Sequence, residues 1–321
     1  MSQAESVSSQ ARINLIYVAS IGRSGSTLLE SILGAHSQVT TCGEIHIWPH
    51  EILQKGVRPC ICGESVLTCP IWSEVHSQVD PLQQPHPQIH FFREQHHAGH
   101  TLRLARLREF GKQPLSAQTV AELQRYAQNN YAVFEAFLSV MRARYGPRLN
   151  WVVDSSKDPY RLLWLVRSNL FNIKVLHIVR SPPAFVYSMV KRLPKAEVDV
   201  PYSRFYEASR QSLKWSIENA LISKVAKNHL DSSSYQLVKY EELASTPAKT
   251  FERICDFIGC DFEQGAIANF REGSKHTIAG NPMRYEARGI SLDERWKTLL
   301  PNSLRKVSET LTLINKSDYG Y

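Results

Sequence analysis

The sequence predicts an α/β fold, a mostly parallel sheet flanked by helices on both faces with a helical insertion or lid. Three observations carry this reading. Short β-branched apolar runs occur four times, each followed by a segment with apolar residues at helical spacing. Such alternation calls for crossover connections, which cover both faces of a parallel sheet with helices. The 321 residues are 43% hydrophobic, enough to bury a core of this size, and one long excursion, residues 45 to 150, interrupts the rhythm.

In chain order, residues 1 to 12 are polar and are expected to be a disordered tail, leaving 13–321 as one domain with an insertion at about 45–150. From Ile13, "INLIYVAS" reads as a buried strand running toward Gly22. Leu28, Leu29, Ile32 and Leu33 then recur at helical spacing, so a helix is expected from near Ser26 to around Gly34. "SQVTTCG" is a short strand. The excursion carries "PLQQPHPQ", five histidines between His86 and His100 that suit a solvated lid, and a helix over about Ala117 to Arg144. The rhythm then resumes. "WVVDSS" (151–156) precedes "YRLLWLVRSNL", "IKVLHIVRS" (173–181) precedes "PAFVYSMVKRL", and "YQLVKYEEL" (235–243) precedes "PAKTFERICDFIG". A further helix is expected over Tyr202 to His229.

Lys and Arg number 38 against 30 Asp and Glu, a formal net charge of +8. That excess suits an anionic ligand and equally a solvated surface. No apolar run reaches the ~20 residues of a membrane helix, and "MSQAESVSSQ" has neither a basic start nor an apolar core. Six cysteines, at 42, 60, 62, 69, 255 and 260, are too few and too uneven for a disulfide framework. A soluble protein of the reducing cytoplasm is expected, with neither membrane nor nucleic acid among its partners.

The turn "IGRSGSTLLE" lies between a strand and a helix, where free backbone N–H groups and the helix dipole make an anion site. Gly22 and Gly25 let the backbone come close, Ser24, Ser26 and Thr27 add hydroxyls, and Arg23 adds charge. The triphosphatase pattern G-x-x-x-x-G-K-[ST] fails here, with Ser26 in place of the lysine and Ser20 in place of the first glycine. The sheet is thus of the P-loop type without the P-loop lysine. A second cation, Arg180, ends the strand in "VLHIVRSPPAFVYSM", and Ser188 lies two turns along the next helix. Ligands of open parallel sheets bind at the carboxyl ends of strands, and an arginine fork suits phosphate. An arginine in that place can equally serve a surface ion pair.

Together "GRSGSTLLE", "DSSKDPY", "VLHIVRSPPAFVYSMVKR" and "LVKYEEL" resemble the sulfotransferases that use 3′-phosphoadenosine 5′-phosphosulfate (PAPS) and release 3′-phosphoadenosine 5′-phosphate (PAP). The likeness is greatest to tyrosylprotein sulfotransferases, through "AHSQVTTCGE", "KDPY" and the tyrosine of "VKYEEL". It covers about a third of the chain, in separated blocks. The Cys60-x-Cys62-Gly and Cys69-Pro-x-Trp72 region is similar to bacterial sulfotransferase-like proteins. The resemblance implies a 5′-phosphosulfate site at Gly22, Arg23, Ser24, Gly25, Ser26 and Thr27, and a 3′-phosphate site at Arg180 and Ser188. It also implies an acceptor that is a small-molecule or peptide hydroxyl, with residues 45–150 and 193–230 shaping its pocket. A donor without a γ-phosphate has no need of the missing lysine.

Sulfuryl transfer needs a base for the acceptor hydroxyl. Glu44, just past the strand "SQVTTCG", is the first candidate, His46 is its rival, and a helix-capping or surface role for Glu44 stays open. Tyrosylprotein sulfotransferases carry two glutamates here followed by arginines. This chain has one glutamate, followed by "IHIWPH". Lys157, after "WVVD", suits the leaving phosphate or the sulfuryl oxygens, or an exposed ion pair. Tyr240 suits adenine or ribose, or core packing. "GNPMRYEARG" offers Arg284 and Arg288 beside Gly289 as a loop over the nucleotide. Zinc on Cys60, Cys62 and Cys69 with His76 is disfavoured, because C-x-C is tighter than the usual C-x₂₋₄-C, and no metal is expected. Two rivals stay open: a kinase or nucleotidase using ATP and Mg²⁺ with Asp154 as metal holder, and a non-catalytic nucleotide-binding module.

Overall fold

Five strands run parallel in one sheet: β1 (Ile13–Ala19), β2 (Val39–Gly43), β3 (Trp151–Lys157), β4 (Phe171–Val179) and β5 (Tyr235–Lys239), in the order β2-β3-β1-β4-β5. They come from a computed structural model that describes residues 11–48, 59–83, 104–194, 201–273, 276–280, 285 and 289–321. The expected polar tail up to residue 10, the histidines from His86 to His100, and Arg284 and Arg288 lie outside the described residues.

Every residue of β1 except Asn14 is buried, the near-continuous apolar pattern of a strand covered on both faces. Strand alternation sorts these residues into two cores. Leu15 and Tyr17 join Val152, Ile173 and Val175 on one face, while Ile16 and Val18 join Val153, Leu176 and Ile178 on the other. Leu15 pairs with both Val152 and Ile173, which fixes the register at the sheet centre.

The helices follow in chain order. They are α1 (Ser26–Gly34), α2 (Trp72–Gln83), α3 (Ala117–Tyr145), α4 (Pro159–Ser168), α5 (Pro182–Val190), α6 (Pro201–His229), α7 (Tyr240–Ser245), α8 (Pro247–Ile258), α9 (Gln264–Ala268), α10 (Phe270–Gly273), α11 (Trp296–Leu299) and α12 (Asn302–Leu311). α3 covers the first core with Tyr126, Phe134 and Phe137, and α1 and α8 cover the second with Leu29, Ile32, Phe251 and Ile254. Pro159, Pro182 and Pro247 each open a helix, where the missing N–H has no intrahelical use. Among the described residues no helix is long and apolar enough to cross a membrane.

Two strands end elsewhere than the sequence suggests. β5 stops at Lys239, and Tyr240 opens α7 with Glu241 and Glu242 in its first turn, where carboxylates favour the helix dipole. β3 continues to Lys157 across an irregularity: Tyr17 pairs with Asp154 but Ala19 with Lys157, so β3 carries one extra residue over that step. Such a bulge re-aims the side chains beyond it.

Candidate active site

The carboxyl ends of β1, β3, β4 and β5 feed four helix starts, and three of these turns can be compared directly. After β3, Asp158 caps α4 by accepting from the Tyr160 N–H at 2.9 Å. After β4, the Ser181 N–H donates to Glu241 Oε1 at 3.0 Å. The turn after β1 is built differently: its cap residue is Gly25, which has no side chain to offer α1. An anion over this turn would meet backbone N–H groups at the positive end of the α1 dipole.

Gly25 is required there. Its φ is +95°, and a Cβ would stand 2.4 Å from Cδ2 of Tyr240. Arg23 in the same turn also has positive φ, 76°, as do Lys157 at 69° and Ala279 at 56°. Non-glycine residues held in this region concentrate at functional sites.

A cavity of about 760 Å³ opens over this turn. It is lined by Ser20, Gly22, Arg23, Gly25, Ser26 and Thr27 from the turn, and by Glu44, His46, Lys157, Arg180, Ser188 and Tyr240 from elsewhere in the chain. The fold thus brings together almost every residue that the sequence singled out; Ser24 is buried behind the turn. Arg180 reaches the rim of the turn itself, with Nη1 donating to the Arg23 carbonyl at 3.5 Å and its guanidinium carbon 4.5 Å from the Tyr240 ring centroid. Tyr240 is therefore clamped between Gly25 and Arg180 and positions both. Ser188 reaches the wall, though its hydroxyl donates to the Phe185 carbonyl at 2.7 Å.

At the opposite wall the Lys157 ammonium donates to Glu44 Oε1 at 2.6 Å, and both side chains are partly exposed. The backbone of Glu44 is fixed by its N–H on the Ile278 carbonyl at 3.0 Å. His46 is buried and held by its own N–H on Ser156 Oγ at 3.2 Å.

Several cations escaped the sequence reading: Lys191, Arg192, Lys214, Arg271 and Arg295 also line the cavity. The described lining holds eight Lys and Arg against three carboxylates, Glu44, Glu218 and Asp293. Lys191 follows Ser188 by one helical turn, a spacing visible in "SMVK". Burial pushes its ammonium below the ordinary lysine value, and Arg295, Arg23 and Arg180 push the same way against Asp293. Hydrogen bonds from Arg295 hold the Asp293 carboxyl down at about 2.

Three polar atoms test the fit of an anionic nucleotide. Ser20 Oγ, Arg180 Nε and Gln211 Oε1 belong to buried residues of this lining and have no hydrogen-bond partner within the protein. Buried polar atoms are normally paired, so unpaired ones around a cationic cavity fit a polar ligand.

A family model described as the sulfotransferase family matches residues 16–264. The chain belongs to that family. This sulfotransferase shares its fold with two solved structures. One is the sulfotransferase domain of the olefin synthase of Synechococcus PCC 7002, at 21% identity and TM-score 0.52, with 94% of this chain and 96% of that one covered. The other is the sulfotransferase domain from the curacin biosynthetic pathway, at 18% identity and TM-score 0.53, with 95% and 99% covered. The matched span of the enzyme contains the turn, Glu44, Lys157, Arg180 and Tyr240, and ends before His276, Asp293 and Arg295.

Of the stretches expected to shape an acceptor pocket, His46 and Ile47 from the first and Gln211, Lys214 and Glu218 of α6 line the cavity. The described residues 59–150 contribute none. Gly289 lines it, and Asp154 does not. Asp154 is fully buried, with Oδ2 accepting from Arg161 Nε at 2.8 Å and Oδ1 from the Ser156 N–H at 2.9 Å.

Proposed function

We propose that this sulfotransferase takes its sulfuryl group from PAPS and passes it to the hydroxyl of an alcohol or phenol. The observation that carries the proposal is the pairing of two anion-binding features on one cavity: the glycine-capped N-terminus of α1 and, against the same turn, Arg180 with an unpartnered Nε. A nucleotide with phosphates on both its 5′ and 3′ positions matches two such features. The excess of cations in the lining supports a polyanionic ligand.

In this reading Gly22 to Thr27 bind the 5′-phosphosulfate through backbone amides and hydroxyls, and Arg180 with Ser188 and Lys191 binds the 3′-phosphate. When bound, the donor supplies a sulfuryl group that leaves its phosphate oxygen as the acceptor oxygen bonds to sulfur. Glu44 takes the acceptor's proton, a contribution of roughly 10²–10⁴ in rate. Lys157, already on Glu44, orients the carboxylate and offers its charge to the sulfuryl oxygens.

The Mg²⁺-dependent reading loses its metal holder, since both oxygens of Asp154 are engaged inside the protein. Titration calorimetry separates the donors. PAP is expected to bind without Mg²⁺ and ATP weakly with or without it. Mg²⁺-dependent binding of ATP with no heat from PAP would overturn the proposal. Tight PAP binding without transfer of radiolabelled sulfate from PAPS to any alcohol or phenol of a broad panel would instead favour a nucleotide-binding module.

A further inference from the structure

We propose that Cys60, Cys62, Cys69 and His276 form a structural zinc site, distinct from the sulfuryl-transfer cavity. Their ligand atoms, three Sγ and one imidazole nitrogen, all lie within 4.8 Å of one another. His276 Nδ1 is 3.2 Å from Cys69 Sγ and 3.8 Å from Cys60 Sγ. Tetrahedral zinc with Zn–S of about 2.3 Å and Zn–N of about 2.0–2.1 Å sets such atoms about 3.5–3.8 Å apart, so small shifts complete the geometry. Three thiols and an imidazole without a carboxylate form a soft donor set, which selects zinc over magnesium or calcium. None of the six cysteines is in a disulfide.

The surroundings have the features of a ligand site. His276 turns Nδ1 toward the thiols, and its Nε2 lies 3.0 Å from the Tyr145 hydroxyl. A proton on Nε2 donated to Tyr145 leaves the Nδ1 lone pair for a metal, the usual arrangement of a ligating histidine. The backbone of His276 is anchored beside the cysteines by the Trp72 indole N–H, which donates to the His276 carbonyl at 2.6 Å. The turn holding the first two cysteines closes on itself, with the Gly63 N–H on the Cys60 carbonyl at 2.9 Å and the Cys60 N–H on the Glu64 carbonyl at 2.8 Å. Gly63, at φ +93°, permits that reversal. The C-x-C spacing that argues against a knuckle is thus served by a tighter turn. Its fourth partner is His276; the ring of His76 packs instead 6.1 Å from that of Trp48.

Four protein ligands leave no open position, so the metal is structural. Its place in the fold says what it holds. Cys60 bridges Ile278 on one side, and Gly43 bridges Ile278 on the other. The Ile61 N–H donates to the Thr277 carbonyl at 3.1 Å, and Ile278 donates to the Cys42 carbonyl at 3.1 Å. Segment 276–280 is therefore fastened between the cysteine turn and the end of β2, and Ile278 accepts the Glu44 N–H. Zinc would pin the backbone that carries Glu44. This last consequence rests on the proposed role of Glu44, whereas the site itself does not.

The test is metal analysis of the full chain purified without chelator, with cobalt(II) exchange as a second readout. One zinc per chain is expected, and the cobalt form should show the intense d–d and thiolate charge-transfer bands of a tetrahedral site. Cys62→Ser, which changes the exposed ligand, should lose both. Tyr145→Phe, which keeps all four ligands, should weaken metal affinity about 10–100-fold, and Cys255→Ser should change nothing. A chain that takes up neither metal, a Cys60–Cys69 disulfide found by mass spectrometry under anaerobic handling, or full zinc content in both Cys62→Ser and Cys69→Ser would overturn the site. None of these outcomes depends on sulfuryl transfer, so failure here is separate from failure of the proposed function.

Discussion

Asp154 and Lys157 stand three residues apart on β3, and each forms an ion pair in very different surroundings. Asp154 meets Arg161 with both side chains at most 1% exposed, and the guanidinium also donates to Tyr126 Oη at 2.5 Å and Asn130 Oδ1 at 2.7 Å. Lys157 meets Glu44 beyond the bulge of β3, on the wall of a cavity, with the side chains 11% and 23% exposed. The first pair is enclosed by the protein and holds its fold. The second faces the place where a substrate would sit, where a carboxylate can exchange lysine for an acceptor hydroxyl. The same pairing of carboxylate and cation is closed off in one place and, on the proposed function, put to chemical use in the other, because enclosure decides which partners remain accessible.

Breaking each pair should have opposite signatures. Glu44→Gln is expected to cut turnover by roughly 10²–10⁴ while leaving PAP affinity and the unfolding midpoint unchanged, as measured by initial rates, calorimetry and thermal melting. Undiminished turnover would remove Glu44 as the base and turn attention to His46. Asp154→Ala is expected to do the reverse. It leaves a buried uncompensated Arg161 and should cost about 3–5 kcal/mol in denaturant unfolding. A loss under about 1 kcal/mol would mean the pair is not enclosed as described.

A third enclosed contact extends the comparison to pH. His177 is fully buried between Tyr235 Oη, at 2.8 Å from Nδ1, and Asn219 Oδ1, at 2.9 Å from Nε2. Burial pushes its imidazole down to about 4. The unfolded chain therefore binds a proton that the folded one refuses, and stability is intact above about 6.5 but lost as pH falls toward 4. The loss should reach about 3 kcal/mol at pH 4, read as the difference between wild type and His177→Gln in urea unfolding at pH 7 and pH 4. Parallel pH profiles of the two proteins would contradict it.

What the sequence disclosed follows the distance over which each feature is built. The turn from Gly22 to Thr27 and the strand and helix around it are local, so spacing alone located them. Arg180 was legible for the same reason, standing between an apolar run and two prolines. The Glu44–Lys157 contact was legible only as two separate candidates, because their meeting depends on β2 lying beside β3. Nothing in the spacing of Cys60, Cys62 and Cys69 points to His276, which is 207 residues beyond Cys69. Tyr240 illustrates a different limit. An aromatic after "QLVK" reads as strand, yet the two acids that follow favour a helix start, and the ring ends in the cavity wall. Asp154 looked available to a metal until Arg161, one turn into α4, filled its coordination.

On the proposed function, two anion sites on one cavity read a nucleotide with two separated phosphate positions. Calorimetry of PAP and 5′-AMP, each with wild type and Arg180→Ala in Mg²⁺-free buffer, tests it most directly. Wild type is expected to bind PAP much more tightly than 5′-AMP, and Arg180→Ala should lose about 1.5–3 kcal/mol for PAP while its 5′-AMP affinity stays nearly constant. Equal affinities of wild type for PAP and 5′-AMP, or equal losses for both in Arg180→Ala, would contradict the assignment of Arg180 to a second phosphate.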